Sequence, residues 1–310
     1  MQRAVEHTPV RRRARFFQRK TTGDIVFDFV NYGFLALFVL TIAYPFWNTF
    51  LFSFAETGDT SSIGFTLWIS SWHLHAYQYI FGEMNILVAY ANSIFRTVFG
   101  TVLTVFFCMA LAYPLAKRHL PGRTAITIYL LITMFFSGGL IPTYLLVRSL
   151  GLIDNRMVYL LPAMVTGFNV IIMRNFLMTL DRAYEESAFI DGASYFRIFV
   201  SIVIPLSKPV IATVALWTAV FHWNSWFDCL IYIRSDSKIV LQMVLRKLIV
   251  DAEAAFSNAI ADFRLAEEID MPTTAIKAAV TIVTIGPIVL AYPFLQKYFI
   301  HGIFMGSLKG

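Results

Sequence analysis

Six long apolar runs dominate this chain and limit how it can fold. Each is long enough for a helix to cross a hydrocarbon layer of roughly 30 Å, which takes about 20 residues. An unpaired peptide group is costly in lipid, so such a run satisfies its own backbone only as a helix. The sequence therefore predicts an all-α, polytopic membrane protein. The predicted spans are Ile25–Phe54, Ile86–Ala116, Ala125–Val147, Met157–Met178, Val200–Ile233 and Thr274–Phe299.

Composition leads to the same fold class. Hydrophobic residues make up 58% of the 310 residues and charged residues only 14%. A single soluble core of this size cannot bury that much apolar surface. Two cysteines, Cys108 and Cys229, lie inside predicted spans and away from any metal-ligand pattern, so we expect them to fill space. No metal site is predicted.

Basic residues gather at the ends of the apolar runs and predict the orientation of the chain. They cluster before the first run, and others flank the loops after the second and fourth runs, whereas Ala55 to Leu87 carries none. By the positive-inside rule the two termini and the loop that begins at Asp181 face the cytoplasm. We expect a basic tail over residues 1–22, one transmembrane domain over residues 23–310, and a location in the cell (inner) membrane. Nucleic-acid binding is not expected, because the basic residues lie at the predicted membrane boundaries.

The loop after the fourth run reads DRAYEESAFIDGASYFRIFVSIVIPLSKP and predicts a short helix, a corner and a second helix. Asp181 suits an N-cap, and Glu185 and Glu186 lie where the helix dipole favours negative charge. Gly192 permits the left-handed residue that ends the first helix, and Ser194 can cap the second. A charged, helix-breaking segment between two apolar runs predicts a contact surface for a soluble partner.

Small side chains give the first of these helices a face that another protein can approach closely. Tyr184, Ser187, Ala188 and Asp191 fall at three- and four-residue spacing, which places them on one side of a helix. An ordinary solvated loop is the alternative that the spacing alone leaves open.

The same string resembles the EAA loop of importer-type ABC permeases, a Glu followed by small residues, then Asp-Gly-Ala and a later Pro. Ser187 stands where the family usually has Ala, a change from one small residue to another. The matching residues are Glu186, Ala188, Asp191, Gly192, Ala193 and Pro205. The resemblance implies that this loop is the coupling helix, which docks in a cleft of an ATPase subunit. The implied coupling residues are Glu185, Glu186, Ser187, Ala188, Asp191, Gly192 and Ala193.

Other stretches are similar to the carbohydrate branch of that family, in particular to the second permease of heterodimeric sugar importers. They are FFSGGLIPTYLLVRSLGLIDN, HWNSWFD and YPFLQKYFIHGIFMGSLKG. The resemblance implies a second permease subunit, an ATP-binding cassette ATPase dimer, an extracytoplasmic solute-binding protein and an oligosaccharide, which can be a uronate such as alginate oligomers. ATP and Mg²⁺ then belong to the ATPase, and this chain is not an enzyme. It contains no GxxxxGK[ST] phosphate loop of its own.

Two groups of residues are candidates for the substrate path. Gly138 and Gly139 interrupt the third run, and a broken helix at membrane depth is tolerated where it is buried or lines a cavity. A packing kink is the alternative. The second group combines aromatic rings that can stack on a sugar with groups that can bind its hydroxyls, although Trp also collects at membrane interfaces. Its members are Trp223, Asn224, Trp226 and Asp228.

Arg96 is an ionisable residue inside the second predicted span, where a charge is expensive. It is the cation that we expect to contact a uronate. Snorkelling of its side chain or an ion pair is an equal alternative.

Two other kinds of protein remain as alternatives. A secondary transporter driven by an ion gradient typically has paired inverted repeats with matching broken helices, and the sequence shows neither. An intramembrane enzyme needs catalytic residues at a shared depth, and the Ser, His and Asp residues are scattered instead.

Overall fold

The structure, a computed structural model, describes residues 21–55, 66–83, 86–250 and 274–290. By internal contacts the chain divides into two units, residues 1–48 and residues 49–310. The regular elements of the described ranges are all helical, which confirms the all-α prediction. The α-helices are α1 (Thr22–Phe52), α2 (His75–Glu83), α3 (Ile86–Ala116), α4 (Arg123–Phe135), α5 (Leu140–Ser149), α6 (Gly167–Leu177), α7 (Ala183–Ile190), α8 (Tyr195–Leu206), α9 (Lys208–Asn224), α10 (Phe227–Tyr232), α11 (residues 241–250) and α12 (Thr274–Leu290).

Two of the described helices, α1 and α3, are each 31 residues long and apolar enough to cross a membrane. Two bent pairs also have the required composition. The chain bends by 113° between α4 and α5 and by 77° between α8 and α9. Counting each bent pair as one span gives up to four candidate spans among the described residues. Residues 1–20 of the predicted tail and residues 291–299 of the sixth predicted span lie outside the described residues.

The fourth and fifth predicted spans are less continuous than their sequences indicate. Helix α6 has 11 residues, and at 1.5 Å per residue it extends only about 16 Å. The fifth run is divided among α8, α9 and α10. Within α8, Phe199–Val203 winds as a π-helix just before Pro205. Since Pro205 has no amide N–H to donate, the regular hydrogen-bond ladder is interrupted there.

Helix α3 is the centre of the second unit and packs against α6 and α9. The side chains between them include Cys108, Met109, Val170, Met173 and Val214, all of which are buried. Between helices in lipid the stabilising term is close packing rather than removal of apolar surface from water. Cys108 is a free, buried cysteine within this packing.

Polar side chains on α3 fasten a distant loop to it. The Asn92 amide nitrogen donates to the carbonyl oxygens of Ser237 at 3.0 Å and Ile239 at 2.9 Å. The Ser93 hydroxyl accepts from the backbone N–H of Leu241 at 2.8 Å. Residues 237–241 are therefore fixed against α3 by three hydrogen bonds.

Asp154 also binds this loop, through four hydrogen bonds to its carboxylate that we call the clasp. Its carboxylate accepts from the backbone N–H groups of Arg234 at 3.1 Å and Ser235 at 3.0 Å, from the Ser235 hydroxyl at 2.5 Å and from Lys238 Nζ at 2.9 Å. These donors, with the Ser235 hydroxyl first among them, lower the pKa of Asp154 below its ordinary value of 3.8.

We predict that Asp154→Asn lowers the thermal unfolding temperature of the purified protein at pH 7, because the charged acceptor of the clasp is lost. The pKa is depressed in the folded state, so the stabilisation is fully present above pH 3.8 and is lost as the pH falls through the folded-state pKa. The measurement is a melting curve of wild type and variant against pH, and their difference should shrink only in acid.

Asp236→Asn is the matched control for the clasp. Asp236 lies 3.5 Å from Lys247, but its side chain is 84% exposed, so that pair contributes little to stability. An equal decrease in unfolding temperature for both variants would contradict the role assigned to Asp154.

Candidate functional site

Helices α7 and α8 form the predicted helix, corner and helix. Helix α7 begins at Ala183, whose N–H donates to the Asp181 carboxylate at 3.0 Å, although Arg182 and not Asp181 holds the N-cap position. Ser194 caps α8 by accepting from the N–H of Arg197 at 3.4 Å, as predicted.

The end of α7 is a Schellman motif built around Gly192. The N–H of Ala193 donates to the carbonyl of Ala188 at 2.9 Å, and that of Gly192 donates to Phe189 at 3.0 Å. Gly192 has φ of 79°, the left-handed conformation that this motif needs. The glycine therefore sets the angle at which the chain turns into α8.

Ala188 lies on the inner side of α7. It is 8% exposed and packs in the same cluster as Met109 of α3 and Met173 of α6. This corrects the expectation that Ala188 belongs to a small-residue face open to a partner. Its side chain is buried within this chain.

The outer surface of the corner is apolar and charged instead, with Glu186, Asp191 and Arg197 all exposed. Large exposed side chains on it are Tyr184, Ile190, Tyr195 and Phe196. Glu186, Ser187, Asp191 and Gly192 are also exposed. Sequence reasoning placed Tyr184 on this face but missed Ile190, Tyr195 and Phe196, because an apolar residue beside a membrane span is easily taken as part of that span.

Glu185 faces inward, unlike its neighbour Glu186. Its carboxylate forms an ion pair with Lys117, just after the end of α3, and accepts from the Tyr113 hydroxyl at 3.4 Å. The Lys117 ammonium also lies 4.4 Å from the centre of the Tyr113 ring. This group ties α7 to the end of α3 beside a cavity of about 440 Å³ that Arg182 also lines.

Arg96 is in an ion pair, which was one of the alternatives. Its guanidinium holds both carboxylate oxygens of Asp228, with Nη1 at 2.8 Å from Oδ1, and Nη1 also donates to the Ser225 carbonyl at 3.1 Å. The Arg96 side chain is buried, and its guanidinium carbon lies 4.9 Å from the centre of the Tyr159 ring. A buried charge needs such a partner, so the pair links α3 to α10.

The remaining path candidates fall in different surroundings. Trp223 is 7% exposed, and its indole N–H donates to the Thr284 carbonyl at 3.1 Å. Asn224 is exposed, and Trp226 is half-buried with the Arg246 guanidinium carbon 3.7 Å from its ring centre. Trp223 is thus placed among packing residues, whereas Asn224 and Trp226 are accessible.

Gly138 and Gly139 are exposed at the break between α4 and α5. The helix interruption predicted from them is present, and Gly139 is the N-cap residue of α5. In the described part of the chain, no group of three or more His, Cys, Asp or Glu side chains is arranged to hold a metal ion.

We predict that Trp223→Phe lowers the thermal stability of the protein in detergent, because the ring is kept but the hydrogen bond to Thr284 is lost, worth about 1 kcal/mol. Trp226→Phe, the same change at a partly exposed ring, should have a smaller effect. Melting curves of the two variants compare them. Equal shifts would show that the buried indole N–H contributes nothing to stability.

Comparison with known proteins adds to this geometry. No protein-family model matches the chain. Protein LplC of Bacillus subtilis (strain 168) is 42% identical over 290 residues, which cover 94% of this chain and 97% of that protein. The polygalacturonan/rhamnogalacturonan transport system permease protein YtcP of the same organism is 38% identical over 285 residues, with 92% and 99% coverage.

Among solved structures, the chain is similar to one in the crystal structure of a bacterial ABC transporter involved in the import of the acidic polysaccharide alginate. The identity is 32% and the TM-score 0.80, over 90% of this chain and 99% of that one. Likeness at this level extends over nearly the whole length of both proteins. The chain therefore belongs to the ABC transporter permeases, in the branch that contains the permeases of carbohydrate transport systems.

Proposed function

We propose that this chain forms one half of the membrane path of an ATP-driven importer that carries an oligosaccharide from an extracytoplasmic binding protein into the cytoplasm. The observation that carries the proposal is the α7–α8 corner. Its outer surface is apolar and charged, whereas Ala188 and Glu185 anchor its inner side to the packed helices. Such a corner suits a soluble partner that pushes on a rigid element.

The partner that we assign to this corner is the ATPase dimer, which binds ATP and Mg²⁺ in place of this chain. Closure of the ATPase moves α7 as a rigid body. Movement of α7 reaches α3 through Glu185 and Lys117, and it reaches α9 through α8. The positive-inside rule supports a cytoplasmic position for this corner and both termini.

The other half of the path is a second permease subunit, which we take to be different from this chain by resemblance to heterodimeric sugar importers. The substrate assignment follows the related permeases, whose names include polygalacturonan/rhamnogalacturonan and arabinooligosaccharide transport systems. A uronate-containing oligomer fits the likeness to the alginate importer. We assign Gly138, Gly139, Asn224 and Trp226 to the accessible wall of the path, with Trp223 and the Arg96–Asp228 pair as the framework behind it.

Uptake should require ATP and not an ion gradient. The complex that co-purifies with this chain is reconstituted in proteoliposomes with its binding protein, and uptake of labelled trigalacturonate and maltotriose is followed. We expect uptake only with ATP and Mg²⁺ on the ATPase side, unchanged by ionophores. Uptake that continues without ATP and stops with an ionophore would instead establish the secondary transporter.

Replacing Gly192 should uncouple ATP hydrolysis from uptake. A valine forced into the left-handed conformation costs about 1–2 kcal/mol, and α7 relieves this by changing its angle to α8. We predict that Gly192→Val retains expression and ATPase activity but loses uptake per ATP hydrolysed.

Gly151→Val is the matched control for Gly192→Val, because Gly151 also has positive φ, 67°, and open space around it but lies in the loop after α5. Its ratio of uptake to hydrolysis should equal that of the wild type. Normal coupling in Gly192→Val, or the same loss in both variants, would contradict the role of the corner.

A further inference from the structure

A cavity of about 260 Å³ lies between α3, α6 and α9 and belongs to none of the sites described so far. Its polar lining comes from all three helices, with Thr104 on α3, Asn169 on α6, and Thr218 and His222 on α9. A single water takes about 30 Å³ of liquid, so the space admits something larger. It lies just below the usual range for small-molecule sites, roughly 300–1,000 Å³.

Three buried polar atoms in this lining have no hydrogen-bond partner among the described residues. They are both ring nitrogens of His222 and the hydroxyl oxygen of Thr218. His222 is 1% exposed, and Thr218 is also buried. Buried polar groups are nearly always paired, and a neutral imidazole offers one donor and one acceptor. Unpaired groups at the wall of a cavity therefore indicate a ligand that donates and accepts hydrogen bonds.

Gly100 leaves the space that the imidazole of His222 occupies. A Cβ at this position would lie 2.5 Å from Nε2 of His222 and 2.7–2.8 Å from two ring carbons. Any side chain there would displace the ring, so the backbone of α3 at Gly100 is the floor on which the imidazole rests. On α6, the Asn169 carbonyl oxygen accepts from the indole N–H of Trp217 at 2.8 Å, which fixes the amide. The polar groups are thus held in position.

The rest of the lining is uncharged and mostly aromatic. Phe168 and Trp217 form a tilted pair with ring centres 5.7 Å apart, and Phe221 packs edge-on to His222 at 5.5 Å. Phe168 and Phe221 are both exposed, so the cavity opens between them. None of the described residues that line it is charged. Without a cation the site is unsuited to a carboxylate, whereas rings beside hydroxyl, amide and imidazole groups suit the uncharged face of a sugar ring.

We propose that this cavity binds one sugar ring of the transported oligosaccharide by its uncharged, hydroxyl-bearing face. His222 and Thr218 exchange hydrogen bonds with ring hydroxyls, and Phe168 and Phe221 cover the apolar C–H face. This inference rests on the proposed function. It assigns recognition of hydroxyls to this chain and leaves any recognition of carboxylates to other parts of the importer.

The decisive test is protection of an introduced thiol. In a background with Cys108→Ala and Cys229→Ala, Thr218→Cys is labelled in the reconstituted complex with a small hydrophilic methanethiosulfonate. Thr213→Cys on the same helix is the control, because Thr213 does not line the cavity and its hydroxyl donates to the Pro209 carbonyl. We expect maltotriose to slow labelling at position 218 and to leave position 213 unchanged.

Each other outcome counts against the proposal. No labelling at position 218 would mean that the cavity is closed to water, and labelling that neither maltotriose nor trigalacturonate slows would mean that it holds water only. Protection by trigalacturonate alone would overturn the assignment to an uncharged face. ATP-driven uptake by the same background is measured separately, so a failure of the proposed function is recognised independently.

Affinity gives a second readout. Thr218→Val keeps the shape of the side chain and removes its hydroxyl. Loss of one hydrogen bond should raise the half-saturating concentration of maltotriose for labelling protection by roughly 2- to 12-fold. The reporter for this measurement is Thr104→Cys in the same cysteine-free background, because Thr104 lines the cavity and its hydroxyl already donates to the Ala163 carbonyl. Thr213→Val should leave that concentration unchanged, and equal values for both valine variants would overturn the role of Thr218.

Discussion

The buried polar side of α3 is the constraint on which the rest of the structure depends. A helix in lipid cannot leave the side chains of Arg96 or Asn92 unpaired. The backbone groups of α3 cannot serve as hydrogen-bond partners for them, because they are already bonded to one another. Their partners come from far along the chain, from Asp228 and from the carbonyls of Ser237 and Ile239. Helix α10 and the loop after it are therefore drawn to one side of α3. Close packing against α6 and α9 completes the arrangement.

Packing of Ala188 in the cluster shared by α3 and α6 makes the α7–α8 corner part of the helix core and not an appendage. Ala188 is packed with side chains of α3 and α6, and Glu185 is paired with Lys117 near the end of α3. The two adjacent acids thus differ in role, because Glu185 is used within the chain and Glu186 is left exposed. A soluble partner that binds the outer surface would act on a helix whose inner side is anchored to α3 and α6. Cooperative packing of this kind responds as a block.

Fold class and the α7–α8 corner could be predicted from the sequence because both depend on local signals. Apolar length indicates the helices, and the spacing from Asp181 to Ser194 indicates two caps and a glycine turn. The sequence did not indicate which side of α7 faces inward, since an alanine suits a buried contact and a partner contact equally well. It also could not pair Arg96 with Asp228 across 132 positions. The cavity beside His222 is formed by residues of three helices, so no short sequence motif predicts it.

The brevity of α6 bears on how the protein is made. Eleven helical residues are too few to cross the hydrocarbon layer, and the 3₁₀ turn Arg156–Tyr159 and the irregular backbone before them do not continue the helix. This segment therefore cannot enter the bilayer as an independent helix. It needs to pack against α3, which is synthesised before it. Biogenesis then becomes ordered, and lesions in α3 should act as insertion defects before they act as transport defects.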